Sequence, residues 1–151
     1  MKKFFYLMSL CLCMFAGVAV MTSCGDDDDE LNPGEISYKT GITEKGNTLQ
    51  LTITAGSVYT ERYTATFGSD DKCIKFIEEM IYSKKDYADL EWQAIQAEYQ
   101  QMPDELKKYS KDGKTITIDE TESWKGRSRS EVREYFEMIQ EEFERHSNYD
   151  K

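Results

Sequence analysis

Only two prolines and one histidine occur among the 151 residues, and three of the four cysteines lie within the first 24 positions. Each scarcity excludes something. His146 and Cys73, the one thiol beyond residue 24, are too few ligands for a zinc site. Cys11 and Cys13 belong to an apolar leader and Cys24 closes it, so Cys73 has no thiol with which to form an intrachain disulfide. Gly-rich phosphate loops, C-x-x-C, H-E-x-x-H and G-x-S-x-G are all missing. No internal repeat of about 20 to 50 residues is visible, which excludes a solenoid. Basic residues are outnumbered as well: Lys+Arg 19 against Asp+Glu 29 gives a net charge of −10. Loss of Lys2 and Lys3 with the leader removes two positive charges and takes it to −12. Such a field repels phosphate backbones, so nucleic acid is excluded as a partner.

What is present fits one globular domain behind a targeting segment: 39% hydrophobic, 32% charged and 13% aromatic residues. Lys2 and Lys3 precede the almost wholly apolar stretch Phe4 to Met21, the order of parts in a secretory signal peptide. A stretch left in the membrane as an anchor is the alternative, because about 17 to 25 apolar residues can span a bilayer. Thr22, Ser23 and Cys24 follow, then Gly25 and the acids Asp26, Asp27, Asp28, Asp29 and Glu30. Adjacent like charges repel and stay solvated, which makes this run an extended tether. It lacks the alternating ligands, central Gly and distal Glu of a calcium loop. Leu31-Asn32-Pro33-Gly34 punctuates the shift to patterned sequence.

Met21-Thr22-Ser23-Cys24 resembles the lipobox of bacterial lipoproteins, with Met21 where Leu is commoner. The resemblance implies cleavage before Cys24, whose thiol would carry a diacylglyceryl group. The acidic run Asp26 to Glu30 resembles the export signal behind the acylated cysteine of surface-exposed lipoproteins of Bacteroidetes-type bacteria. That implies an outer-membrane lipid anchor with the protein facing the cell exterior; a plain spacer on a periplasm-facing lipoprotein is the alternative. The chain then divides into a signal peptide over 1–23, an acylated acidic tether over 24–34 and a single α+β domain over 35–151.

Within that domain Ile36, Tyr38 and Ile42 indicate a first strand. Leu49, Leu51 and Ile53 alternate with Gln50, Thr52 and Thr54 in a second. In a third, Tyr59, Tyr63, Ala65 and Phe67 oppose Thr60, Arg62, Thr64 and Thr66. Turns at Lys45-Gly46-Asn47 and Ala55-Gly56-Ser57 make the three an antiparallel meander. Ser69 before Asp70 and Asp71 suggests a helix start, and Cys73, Phe76, Ile77, Met80 and Ile81 follow a 3.6-residue period. A second helix is expected through Trp92, Ile95, Tyr99 and Met102, with a short turn from Pro103 to Leu106. Thr115 to Ile118 alternates as a strand after the turn Asp112-Gly113. Ser128-Arg129-Ser130-Glu131 has the form of a capping box, and Val132, Tyr135, Phe136, Ile139 and Phe143 continue as a helix. The order β-β-β-α-α-β-α predicts an α+β fold: an antiparallel sheet of about four strands, covered on one face by about two or three helices.

Candidates for chemistry are few. Cys73 lies on the apolar stripe of its expected helix beside Asp70 and Asp71, an environment for a packed thiol and not for a nucleophile paired with His146. Glu134, Glu137, Glu141 and Glu144 fall on the polar face of the last helix. The loop Thr121 to Arg127 sets Trp124 among Lys125, Arg127 and Arg129, a positive island in an acidic protein. Trp and Arg suit a contact surface for a protein or a sugar ring; the bland alternative has Trp124 folding back over the core. The expectation is a non-catalytic binding or interaction module that needs no cofactor. It would be held at the membrane by its lipid and would engage an outer-membrane complex or a glycan. A small hydrolase or hydrolase inhibitor and a structural envelope protein are the alternatives.

Overall fold

Strict alternation over Leu49, Leu51, Ile53 and Ala55 buries one side of a strand and leaves the intervening residues half-buried, as a one-sided sheet requires. The computed structural model describes residues 38–147. The meander is present as β1 (Tyr38–Lys45), β2 (Thr48–Ala55) and β3 (Tyr59–Phe67), all antiparallel. Gly46 and Gly56 at its two turns hold φ of 59° and 52°, a region that favours glycine because no Cβ opposes it.

The segment expected to be the first helix is instead β4 (Cys73–Tyr82), paired with β3 on one edge. The helical period was mimicked by a bulge. Ala65 lies opposite Phe76, Thr66 opposite Lys75 and Phe67 opposite Cys73, so Ile74 is an extra residue in β4. That insertion turns Cys73 and Phe76, three apart, toward the same face. Phe76, Met80 and Tyr82 are buried at even spacings. The supposed capping residues form a tight turn: the Lys72 N–H donates to Asp70 Oδ1 at 3.3 Å, and Asp71 takes a left-handed φ of 58°. Asp favours both roles, so the same acids suit a turn as well as a helix start.

The other elements are α1 (Lys85–Glu98), α2 (Pro103–Leu106), β5 (Tyr109–Asp112), β6 (Thr115–Asp119), α3 (Thr121–Trp124) and α4 (Arg129–Ser147). β5 was not expected, and α3 occupies part of what read as a loop. The sheet has six antiparallel strands in the order β1-β2-β3-β4-β6-β5 instead of about four. The fold is α+β with an open antiparallel sheet. The cap of α4 is reciprocal, as its sequence indicates. The Ser128 N–H donates to Glu131 Oε2 at 2.8 Å and the Glu131 N–H donates to Ser128 Oγ at 3.3 Å.

Both long helices lie on the same face of the sheet. α4 crosses β1 and β2 and buries Val132, Phe136, Ile139 and Phe143. α1 lies over β4 and β6, burying Ala88, Glu91 and Ile95; Met102, expected on its stripe, is exposed. The opposite face carries threonines from β2, β3 and β6 together with Ile77 and Ile81, all half-buried.

Cys73 is a free, buried thiol, 1% exposed, and its Sγ–H donates to the Lys75 carbonyl at 3.4 Å. Burial raises its thiol pKa, and a hydrogen bond from the Lys75 backbone opposes the rise. In a chain begun at Gly25, where Cys73 is the only thiol, maleimide labelling is expected to be slow in buffer and fast in denaturant. Equal rates would place the thiol at the surface.

Candidate functional site

Cys24, Asp26, Asp27, Asp28, Asp29 and Glu30 lie outside the described residues. The proposed contact loop can be followed atom by atom. Its Trp124 stacks on Phe76 at 4.6 Å with an interplanar angle of 11° and lies 4.5 Å from Tyr135. The indole is half-buried, while Lys125 is exposed. Arg127 pairs with Glu131 at 3.2 Å. Arg129 joins distant elements: Nε reaches Asp71 and Nη1 reaches Glu44, both at 2.6 Å, and the guanidinium sits 4.4 Å from the centre of the Phe67 ring. Arg133 pairs with the same Glu44. Trp124 is thus engaged with the core, and Arg129 clamps the start of α4 to the sheet through Asp71 and Glu44.

A second constellation, absent from the sequence reading, lies on the helix-covered face. Glu61 of β3 and Glu78 of β4 are diagonal cross-strand neighbours, because Glu61 stands opposite Met80 and Tyr63 opposite Glu78. Tyr59 Oη donates to Glu61 Oε2 at 2.8 Å and Tyr63 Oη donates to Glu61 Oε1. The Glu61 and Glu78 carboxyls lie within hydrogen-bonding reach of each other. A hydrogen bond between two carboxyl groups needs a proton on one of them, and Glu61 already accepts from two phenols. Both groups sit deep among neighbouring atoms but keep some solvent contact. They stand on β3 and β4, on the face that α4 and α1 cover.

The electrostatics follow from this geometry. Burial pushes the Glu61 carboxyl up in pKa, and hydrogen bonds from Tyr63, Tyr59 and Glu78 pull it back. Burial also holds Glu78 well above the usual carboxylate range, with the charges of Glu61 and Glu120 and the bond to Glu61 adding to the shift. Tyr63 is raised by burial and then by Glu61 and Glu78, while Tyr135 is raised by burial and then by Glu78, Glu61 and Glu120. No Lys or Arg forms an ion pair with Glu61 or Glu78 among the described residues. The sequence carried one signal for this cluster. At Glu61 an acid interrupts the alternating apolar face of β3, between Tyr59 and Tyr63. Glu78 was hidden because a helical reading sent it to the polar side.

Among the described residues no group of three or more His, Cys, Asp or Glu side chains is arranged to hold a metal ion. No described helix is long and apolar enough to cross a membrane. No family model, curated protein or solved structure matches the chain.

Proposed function

We propose that this protein is an exported, lipid-anchored binding module, fixed to the outer membrane through Cys24 and facing the cell exterior. The basic pair Lys2-Lys3, the apolar stretch to Met21, the small residues before Cys24 and the acidic run behind it support the address. The observation that sets a binding module ahead of a glycosidase is the adjacency of Glu61 and Glu78 on neighbouring strands. Glycosidase carboxyls stand about 5 to 9.5 Å apart to admit a nucleophile or a water, whereas these two are diagonal neighbours on adjacent strands, within hydrogen-bonding reach. The one thiol within residues 38–147 is buried, which supports the same conclusion. The partners of such a module are a neighbouring outer-membrane complex or a glycan. Lys125 and Arg127 are the exposed cations of the loop, Arg127 beside Glu131.

Metabolic labelling with a fatty acid tests the anchor. Label is expected on the wild type and not on Cys24→Ala; label kept by the variant would overturn the lipoprotein reading. A diacylated cysteine supplies the two chains that stable anchoring needs. Replacing Asp26 to Asp29 by Ala is expected to change the protein from protease-accessible on whole cells to protected. Unchanged accessibility would reduce the run to a spacer.

A further inference from the structure

We propose that Glu61 and Glu78 form a proton-held latch at the centre of the sheet: one proton, in place of a basic side chain, joins β3 to β4 on the face that α1 and α4 cover, and alkaline solution releases it. Glu61 accepts from Tyr59, from Tyr63 and from Glu78, so one ionised carboxylate gathers three donors. As pH rises the Glu78 donor is lost before the Tyr63 phenol, because burial and the adjacent carboxylate hold that phenol above its usual range. Once Glu78 ionises, two carboxylates face each other on adjacent strands, and like charges at that separation are strongly unfavourable where solvent is scarce.

Among the described residues no Lys or Arg is paired with either carboxyl. β3 supplies Tyr59 and Tyr63; β2, at the positions opposite Glu61 and Tyr63, supplies only Ile53 and Leu51. Glu120, just beyond β6, adds a further negative charge, and β5 supplies Tyr109. Lys111 of β5 is paired with Asp89 of α1 at 2.5 Å. α1 also contributes the buried Glu91, whose carboxyl is raised by burial and by Glu98, and Tyr99 follows at its end. α4 brings Tyr135. Lys108 is bound to Glu105 at 2.9 Å, and Arg62 pairs with Glu79, whose alternation with Glu78 puts it on the other face.

An acid that stays protonated in the fold but ionises in the unfolded chain makes the fold lose stability as pH rises. The loss begins near the ordinary glutamate value of about 4.3 and ends above the native value of the pair. Asp89, Asp119 and Glu131, held low by hydrogen bonds, act in the opposite direction and in a separate range, losing their contribution as pH falls below about 4. The range from pH 5 to 8 therefore reports the raised acids.

The experiment compares thermal and denaturant unfolding of the mature chain, residues 24–151 without the lipid, from pH 5 to 8 for wild type, E78Q, E61Q and E91Q. E78Q keeps a donor toward Glu61 but cannot ionise. Its folding equilibrium relative to wild type is expected to improve as pH rises, by about tenfold for each pH unit by which the Glu78 value in the fold exceeds that in the unfolded chain. E91Q serves as control and is expected to leave the slope assigned to Glu78 in place. E61Q, which loses the carboxylate acceptor, is expected to be less stable than wild type at pH 5. Carbon-13 carboxyl resonances of the glutamates supply a readout that does not depend on stability. One carboxyl titrating above the ordinary range in wild type and missing from E78Q supports the latch. Parallel pH profiles for wild type and E78Q, or glutamate resonances that all titrate near 4.3, would overturn it.

Discussion

Replacing Phe76 by Ala is expected to destabilise the domain by about 3 to 5 kcal/mol, the range for truncating a buried aromatic. Phe76 is 1% exposed and is the ring on which several others converge. Trp124 stacks on it at 4.6 Å, Phe136 of α4 lies at 5.9 Å, and Tyr63 and Tyr135 lie at 6.4 Å. Truncation leaves a void bounded by a strand, a short helix and a long helix, which cannot all close at once. The backbone at this position ties the same elements: the Phe76 N–H donates to Thr121 Oγ1 and the Glu120 N–H donates to the Phe76 carbonyl, both at 3.1 Å. These bonds survive the substitution, so α3 is expected to stay in place with Trp124 deprived of its stacking partner. Denaturant unfolding measures the loss directly, and the thermal midpoint is expected to fall on the order of 15 °C. A loss below about 1 kcal/mol would mean that the aromatic cluster is not the centre of the core. Greater solvent quenching of Trp124 in the same variant would follow from the loss of its stacked neighbour.

The second large effect belongs to Ile77, in the middle of β4. That strand is paired on both edges, with Thr64 of β3 on one side of Ile77 and Asp119 of β6 on the other. Proline removes an N–H and is tolerated in sheets only at edges and bulges, so Ile77→Pro is expected to abolish cooperative unfolding altogether. Ile77→Thr should be mild, within about 1 kcal/mol, because threonine is β-branched and the face it joins is already rich in threonine. Ile77→Ala completes the test. Alanine favours helix over strand, so in this strand Ala is expected to cost more than Thr. Circular dichroism and urea midpoints of the three variants read the answer. A cooperative, native-like Ile77→Pro protein would remove residues 73–82 from the sheet interior.

Where sequence patterns alone were informative, the determining physics is local. β2 was legible because period two is a property of consecutive residues, and Leu49, Leu51 and Ile53 needed no knowledge of their partners. The start of α4 was legible because a capping box closes within four residues, from Ser128 to Glu131. The leader and acidic run are local patterns too, and the address proposed for the protein rests on them. By contrast, β4 depended on β3. The bulge at Ile74 exists only as a mismatch between two strands, and without a partner the spacing of Cys73 and Phe76 cannot be told from a helical stripe. β5 is four residues long and alternates only weakly, so pairing with β6 around Gly113 is what makes it a strand. The Glu61–Glu78 pair is the clearest case. Two acids seventeen positions apart acquire a shared proton because antiparallel register makes them neighbours and two helices on one face limit the water that reaches them. Composition and periodicity can count carboxylates, but only tertiary contacts decide which of them stays protonated, since desolvation and the charge of a neighbour are properties of the folded environment.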